Sequence, residues 1–153
     1  MSSAFANSAS RATILLDTNV ISELIKAEPD RGVLAYVDRI DPDVLFTAAI
    51  CEAEIRYGLA RMPPGRRLDG LAARIATFFD TGFHDRVLSF DRLCAACYGD
   101  IRFQREAAGR PISIEDAMIA ATARAYGVGA LVTRNTEDFL NCGVPLINPW
   151  LPV

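Results

Sequence analysis

Histidine and lysine are almost missing from this chain: His84 and Lys26 are the single representatives of their kinds among 153 residues. A zinc site built on imidazoles therefore has only one ligand to draw on, and histidine acid–base chemistry rests on the same side chain. Long apolar runs are missing too. Hydrophobic residues make up 51% of the chain, but charges interrupt every stretch well short of the ~20 residues that span a bilayer. No membrane segment and a soluble protein are expected. The four cysteines lack the spacing of a disulfide framework, which fits a reducing compartment, and the cytoplasm is the expected location. The first twelve residues lack the continuous apolar centre of a secretory signal; a flexible N-terminal extension over residues 1–12 is expected, with one domain over residues 13–153. A surplus of positive charge is also absent. The net charge of −3 counts against a broad phosphate-binding surface, although all of the 16 basic residues except Lys26 are arginine, the side chain shaped for bidentate phosphate contact.

What is present is an alternation of short aliphatic runs and helical patterns. Thr13 to Leu16 reads as a strand that stops at Asp17-Thr18-Asn19, and Val20 to Lys26 has helical spacing. A second helix is expected around Val33 to Ile40, a strand at Val44 to Thr47, and helices over Ala48 to Met62 and Arg67 to Phe79. Arg86 to Phe90 reads as a strand and Asp91 to Ala108 as a long helix closed by Gly109 and Pro111. Ser113 to Asp116 has the form of a capping box before the almost wholly apolar Ala117 to Ala125, which Gly127 and Gly129 stop. Ala130 to Thr133 is a fourth strand, Asn135 to Leu140 a connection with a short helix, and Pro145 to Ile147 a candidate fifth strand. Strands separated by helices pair in parallel through crossovers, so the expected fold is α/β: a three-layer α/β/α sandwich with a short, mostly parallel sheet of four or five strands.

In such sheets ligands bind beyond the carboxyl ends of the strands. Asp17 follows the first strand directly, Asp138 follows the fourth within a loop and a helical turn, and Asp116 begins the apolar helix. Each alone also reads as an acid placed to cap a helix. Glu54 is different. On a helical wheel it lies about 40° from Ile50 and from Gly58 and about 60° from Cys51, inside the apolar arc. Glu52, on the other side, pairs in the expected pattern with Arg56 four residues on. An inward carboxylate is costly unless it is paired or binds a cation. Carboxylates gathered at one edge raise one another's pKa, and a divalent ion answers this. Oxygen ligands alone select Mg2+ or Mn2+.

An ion held by Asp17, Glu54, Asp116 and Asp138 can activate water and stabilise charge on a phosphoryl oxygen, the chemistry of a nuclease. Thr18, Asn19, Thr133 and Asn135 are suited to orient those carboxylates. Arg134 is a candidate RNA contact, as are Arg56, Arg61, Arg66 and Arg67, though solvated arginines are ordinary.

At these residues the chain resembles the PIN-domain ribonucleases, in particular the VapC-type toxins of toxin–antitoxin pairs and their FitB-like group. The matching stretches are Leu15 to Leu24, Glu52 to Ala60, Gly109 to Ile112 with Asp116-Ala117, and Thr133 to Phe139. The resemblance implies a PIN-like parallel-sheet sandwich and Mg2+-dependent cleavage of RNA by the quartet Asp17, Glu54, Asp116 and Asp138. It also implies a homodimer and a cognate antitoxin that obstructs the acidic pocket and carries a DNA-binding domain. Where relatives often have serine and threonine six and three positions before the central glutamate, this chain has Ala48 and Cys51.

Other candidates are weaker. Cys94 and Cys97 match C-x-x-C but sit in a helical pattern and read as core cysteines. His84 with Ser89 lacks an orienting acid at a strand end. Two rival functions remain open: a noncatalytic PIN-like module that binds RNA or protein, and a receiver-like phosphorylation switch. Receivers pair adjacent acids after the first strand and use a lysine near the last, whereas here Asp17 stands alone and Lys26 lies in the first helix.

Overall fold

Ile14, Leu15 and Leu16 form the central strand, β1 (Ile14–Leu16), in a computed structural model that describes residues 12–152. The extension expected over residues 1–12 lies, apart from Ala12, outside the described residues. The chain continues through α1 (Thr18–Ile25), α2 (Arg31–Asp38), β2 (Leu45–Ala48), α3 (Ala49–Ala60) and α4 (Arg66–Ala76). It then forms β3 (Val87–Leu88), α5 (Arg92–Ala107), α6 (Ile114–Ala125), β4 (Ala130–Val132) and β5 (Leu146–Ile147). The strands lie in the order β3-β2-β1-β4-β5 and every pairing is parallel, with Leu16 opposite both Thr47 and Val132.

Neighbouring residues of a strand point to opposite faces, yet Leu15 and Leu16 are both fully buried, as are Leu131 and Val132 on β4. Helices therefore cover both faces, and the molecule is the three-layer α/β/α sandwich expected from the alternation of elements. The core is the aliphatic sheet with Val20, Ile21, Ile101, Ile119 and Phe139 packed on it. Truncating one such fully buried leucine to alanine costs about 2–5 kcal/mol.

Helix starts follow local chemistry. Asp30 and Asp91 accept from the backbone N–H of Val33 and Cys94, and the Ser113 hydroxyl accepts from Asp116 N–H at 3.1 Å, as the capping-box pattern anticipates. Gly127 ends α6 with φ +63°, a left-handed conformation that favours glycine. Gly129 serves a different need: a Cβ there would lie 2.5 Å from that of Ala12, so only glycine lets the two segments approach.

Two expected elements differ. The helix expected over Arg67 to Phe79 ends as α-helix at Ala76 and widens into a π-helical turn, Thr77–Gly82, where Phe78 stacks on Phe83 at 4.4 Å and meets Phe79 edge-on. The strand expected over Arg86 to Phe90 is reduced to Val87–Leu88, because the Ser89 carbonyl turns to the Tyr126 hydroxyl, 3.0 Å away, instead of a neighbouring strand. No helix among the described residues is long and apolar enough to cross a membrane.

The strand order also bears on the rival functions. Receiver modules flank their first strand with the second and third. Here β1 lies between β2 and β4, which sets the receiver reading aside. Chain direction across the sheet reverses between β1 and β4, and the crevice at their carboxyl ends is where such sheets bind ligands.

Candidate active site

Asp17 occupies that crevice, one residue past the end of β1, with its backbone N–H donating to Val132 O at 2.9 Å. It caps α1: Oδ1 accepts from Thr18 N–H at 2.7 Å, while Oδ2 accepts from the Thr133 hydroxyl, also at 2.7 Å. Thr133 follows β4 and is itself fixed from two sides. Its Oγ1 accepts from Asn19 Nδ2 and from the backbone N–H of Asn135, at 3.3 and 3.1 Å. The Asn19 side-chain oxygen in turn accepts from Arg134 N–H. Of the four residues expected to orient the carboxylates, Thr18 and Thr133 bond to them directly, whereas Asn19 and the Asn135 backbone bond to Thr133.

Glu54 projects from the middle of α3, half-buried, and its Oε1 accepts from the Thr18 hydroxyl at 3.0 Å. Its apolar arc is only partly covered: Cys51 is buried, Ile50 half-buried and Gly58 exposed, so the carboxylate opens onto a cleft instead of the core. Asp116 stands in the first turn of α6, half-buried, where the helix amino end favours its charge. Asp17, Glu54 and Asp116 line one cleft of about 410 Å³, together with Thr18, Asn19, Ser22, Glu23, Lys26, Arg134, Asn135 and Trp150. Asp138 is not among these residues. It lies exposed in the 3₁₀ turn Thr136–Phe139, close enough to Asp116 to repel its charge.

The electrostatics follow this placement. Burial pushes the Asp17 carboxyl up to about 6, against the pull of the Thr133 and Thr18 hydrogen bonds and with added repulsion from Asp116 and Glu54. Glu54 is raised by burial and by repulsion from Asp116 and Glu115, and Asp116 by burial and by repulsion from Asp138 and Glu115. Cys51, directly behind Asp17, is fully buried; desolvation and the Asp17 charge push its thiol up to about 12, so it remains neutral. Among the described residues, no three carboxylate, thiol or imidazole groups close into a ready-made cation cage. The carboxylates face a shared space from separate walls.

Three parts of this region lay outside the sequence reading. Arg105, on α5, is buried; its Nε donates to Arg110 O, and its Nη1 to Asp138 O and Leu140 O. It ties the segment before α6 to the turn that carries Asp138. Its signal was present, four residues beyond the buried Ile101 on the same stripe of α5. Glu23, buried on α1, pairs with Lys26 at 2.6 Å and accepts from Asp30 N–H, and these bonds hold its pKa below the ordinary value. Trp150, beyond β5, lies under the Arg134 guanidinium. Of the remaining candidates, Arg67 lines a neighbouring cleft with Thr18 and Glu54, while Arg56 pairs with Glu52 at 3.3 Å, Arg61 rests on Tyr57, and His84 is exposed beside Asp85.

A PIN-domain family profile matches residues 14–142. The chain belongs to the PIN-domain family. This PIN domain is 45% identical over 139 residues to the VapC ribonuclease Y4jK of Sinorhizobium fredii, covering 91% of this chain and 99% of that protein. It is 36% identical over 137 residues to the toxin FitB of Neisseria gonorrhoeae, covering 90% and 98% respectively. A solved structure of FitAB bound to an IR36 DNA fragment superposes on the PIN domain with a TM-score of 0.85 at 35% identity, covering 92% of this chain and 98% of that one. The resemblance carried by the four sequence stretches is therefore one of family and fold alike, in the VapC and FitB branch.

Proposed function

We propose that this PIN domain is a Mg2+- or Mn2+-dependent endoribonuclease, the toxin of a toxin–antitoxin pair. The observation that carries the reading is the convergence of Asp17, Glu54 and Asp116 on one cleft at the β1/β4 crevice, each with its pKa raised by burial and each repelled by a neighbouring carboxylate. The charged form of such a group is costly by itself and is stabilised by a cation beside it. The donor set is oxygen throughout, as magnesium and manganese require. Magnesium keeps several waters and binds through one or two carboxylates together with substrate phosphate oxygens, so carboxylates set on separate walls suit it better than a tight cage would. Asp17, Glu54 and Asp116 would hold the ion, in part through its waters, with Asp138 at the margin.

When bound, the ion supplies positive charge to the phosphodiester and lowers the pKa of an attacking water. The protein supplies orientation. Thr133 and the Thr18 N–H fix both oxygens of Asp17, and the Thr18 hydroxyl fixes Glu54. With its carboxyl at about 6, Asp17 is largely charged at neutral pH and takes up a proton just below it. Relatives named as ribonuclease and toxin, and a relative solved as a complex on DNA, support an RNA substrate and a DNA-binding antitoxin partner. We place the protein in the cytoplasm, in keeping with its four free cysteines, and assign it a homodimer, for which the exposed Leu93 and Phe103 of α5 offer apolar surface.

The test is RNA cleavage by purified protein in magnesium, in chelator, and with Asp116→Asn. Cleavage in magnesium alone, reduced at least 100-fold in the variant, is expected. Cleavage that persists in chelator or is untouched by the substitution would overturn the reading.

A further inference from the structure

Arg134 shares a cleft with four carboxylates, yet its guanidinium rests on an indole: Cζ lies 5.0 Å from the Trp150 ring centroid. The pair is built. Asn19 accepts from Arg134 N–H at 3.2 Å, and Asn148 joins the two residues, its Nδ2 donating to Arg134 O at 3.2 Å and its Oδ1 accepting from Trp150 N–H at 3.0 Å. The Arg134 backbone is thus fixed on one side to the residue that steadies Thr133, and on the other to the segment carrying Trp150.

We propose that Arg134 and Trp150 form the nucleotide clamp of this cleft, Trp150 taking a base on its ring and Arg134 taking the adjoining phosphate. The inference rests on the nuclease reading above. A polyanionic strand is repelled by Asp17, Glu54 and Asp116, and the other cation lining the cleft, Lys26, is engaged by Glu23 at 2.6 Å. A cation held at the wall of the acidic cleft is what lets a phosphate approach, and a planar guanidinium matches its oxygens. The indole is the other half of a single-strand site, because every base has a face that stacks on it. The Arg–Trp stack is the resting arrangement; a base that takes the ring releases the guanidinium to the phosphate beside it.

Trp150 is the only tryptophan, so its emission reports this site alone. A mixed-sequence RNA hexamer is titrated against the full chain in calcium and in chelator, with the RNA checked intact by electrophoresis, following Trp150 fluorescence. A saturable change in emission is expected. Trp150→Phe should bind within about twofold of the parent by anisotropy of a labelled hexamer, and Trp150→Ala at least about fivefold more weakly. Arg134→Ala should lower the salt dependence of binding by about one phosphate contact, with Arg134→Lys recovering the charge but not the full affinity. Binding without a change in emission, equal binding by all four variants, or no binding by the parent would overturn the clamp. Emission that responds to a cognate antitoxin but not to the hexamer would do so too and assign the pair to a protein interface. Intact clamp behaviour in a protein that never cuts RNA would leave the clamp standing and remove the nuclease reading; cleavage unaffected in every variant would do the reverse.

Discussion

Three hydrogen bonds meet at the hydroxyl of Thr133: one given to Asp17, two received from Asn19 and from the backbone of Asn135. Removing that oxygen leaves Oδ2 of the buried Asp17 carboxylate without its donor and two N–H groups without their acceptor. Thr133→Val should therefore cost about 1–3 kcal/mol in chemical denaturation, while Thr133→Ser should cost much less. The same hydroxyl holds the Asp17 pKa down, so in Thr133→Val the acidic limb of the cleavage profile should move to higher pH. An unmoved limb would mean that Thr133 is structural only. At this scale the sequence is legible where a residue's position in its own element carries the information. Asp17 after a strand, Glu54 in an apolar arc and Asp116 at a helix start could all be named from spacing. Trp150 could not, because it follows the last strand in irregular chain with no periodicity, and its partner Arg134 is brought to it by the fold. The placement of Asp138 outside the cleft lining was equally hidden, since a turn's exposure is set by what packs beneath it.

What packs beneath that turn is an element-scale matter. Arg105 reaches from α5 to three carbonyls, on the segment leading into α6, within the Asp138 turn and just past its end. A buried cation with its donors spent on carbonyl oxygens is a fixed strut, and its loss leaves those oxygens unpaired. Arg105→Met should destabilise by about 3–5 kcal/mol, a fall in Tm on the order of 10 °C for a chain this size. Arg105→Lys, with a point charge in place of a fork, should recover part of it. If Arg105→Met melts within 2 °C or so of the parent, the strut is not one. The order of elements was readable because each boundary has its own chemistry: Asp30, Asp91 and Ser113 as caps, Gly127 as a stop. Where the reading differed, the cause was contact between distant segments. The Phe78 and Phe83 stack accompanies the widening of the last turn after α4, and Tyr126 captures the carbonyl that would have lengthened β3.

For the molecule as a whole, the acidic cleft is a standing cost that pH and cations control. Asp17 has its folded pKa raised from 3.8 to about 6, so the folded state binds the extra proton between those values. Its contribution to stability is fully present below pH 3.8 and is lost as pH rises through about 6. At roughly 1.4 kcal/mol per pKa unit, this buried carboxylate costs the metal-free protein about 2–3 kcal/mol at pH 7.5. Glu54 and Asp116 act in the same direction. Glu23, whose pKa is lowered, acts in the opposite one and loses its contribution as pH falls, so the whole-protein profile mixes both. The informative quantity is the difference between the parent and Asp17→Asn. In chelator, the variant's Tm should exceed the parent's by several degrees at pH 7.5, and the gap should close toward pH 4. Manganese should raise the parent's Tm more at pH 7.5 than at pH 5, because protons compete for the same oxygens, and should raise the variant's much less. A gap that is constant with pH would show that Asp17 titrates alike in the folded and unfolded chain, and a manganese effect shared equally by parent and variant would place the ion elsewhere on the molecule.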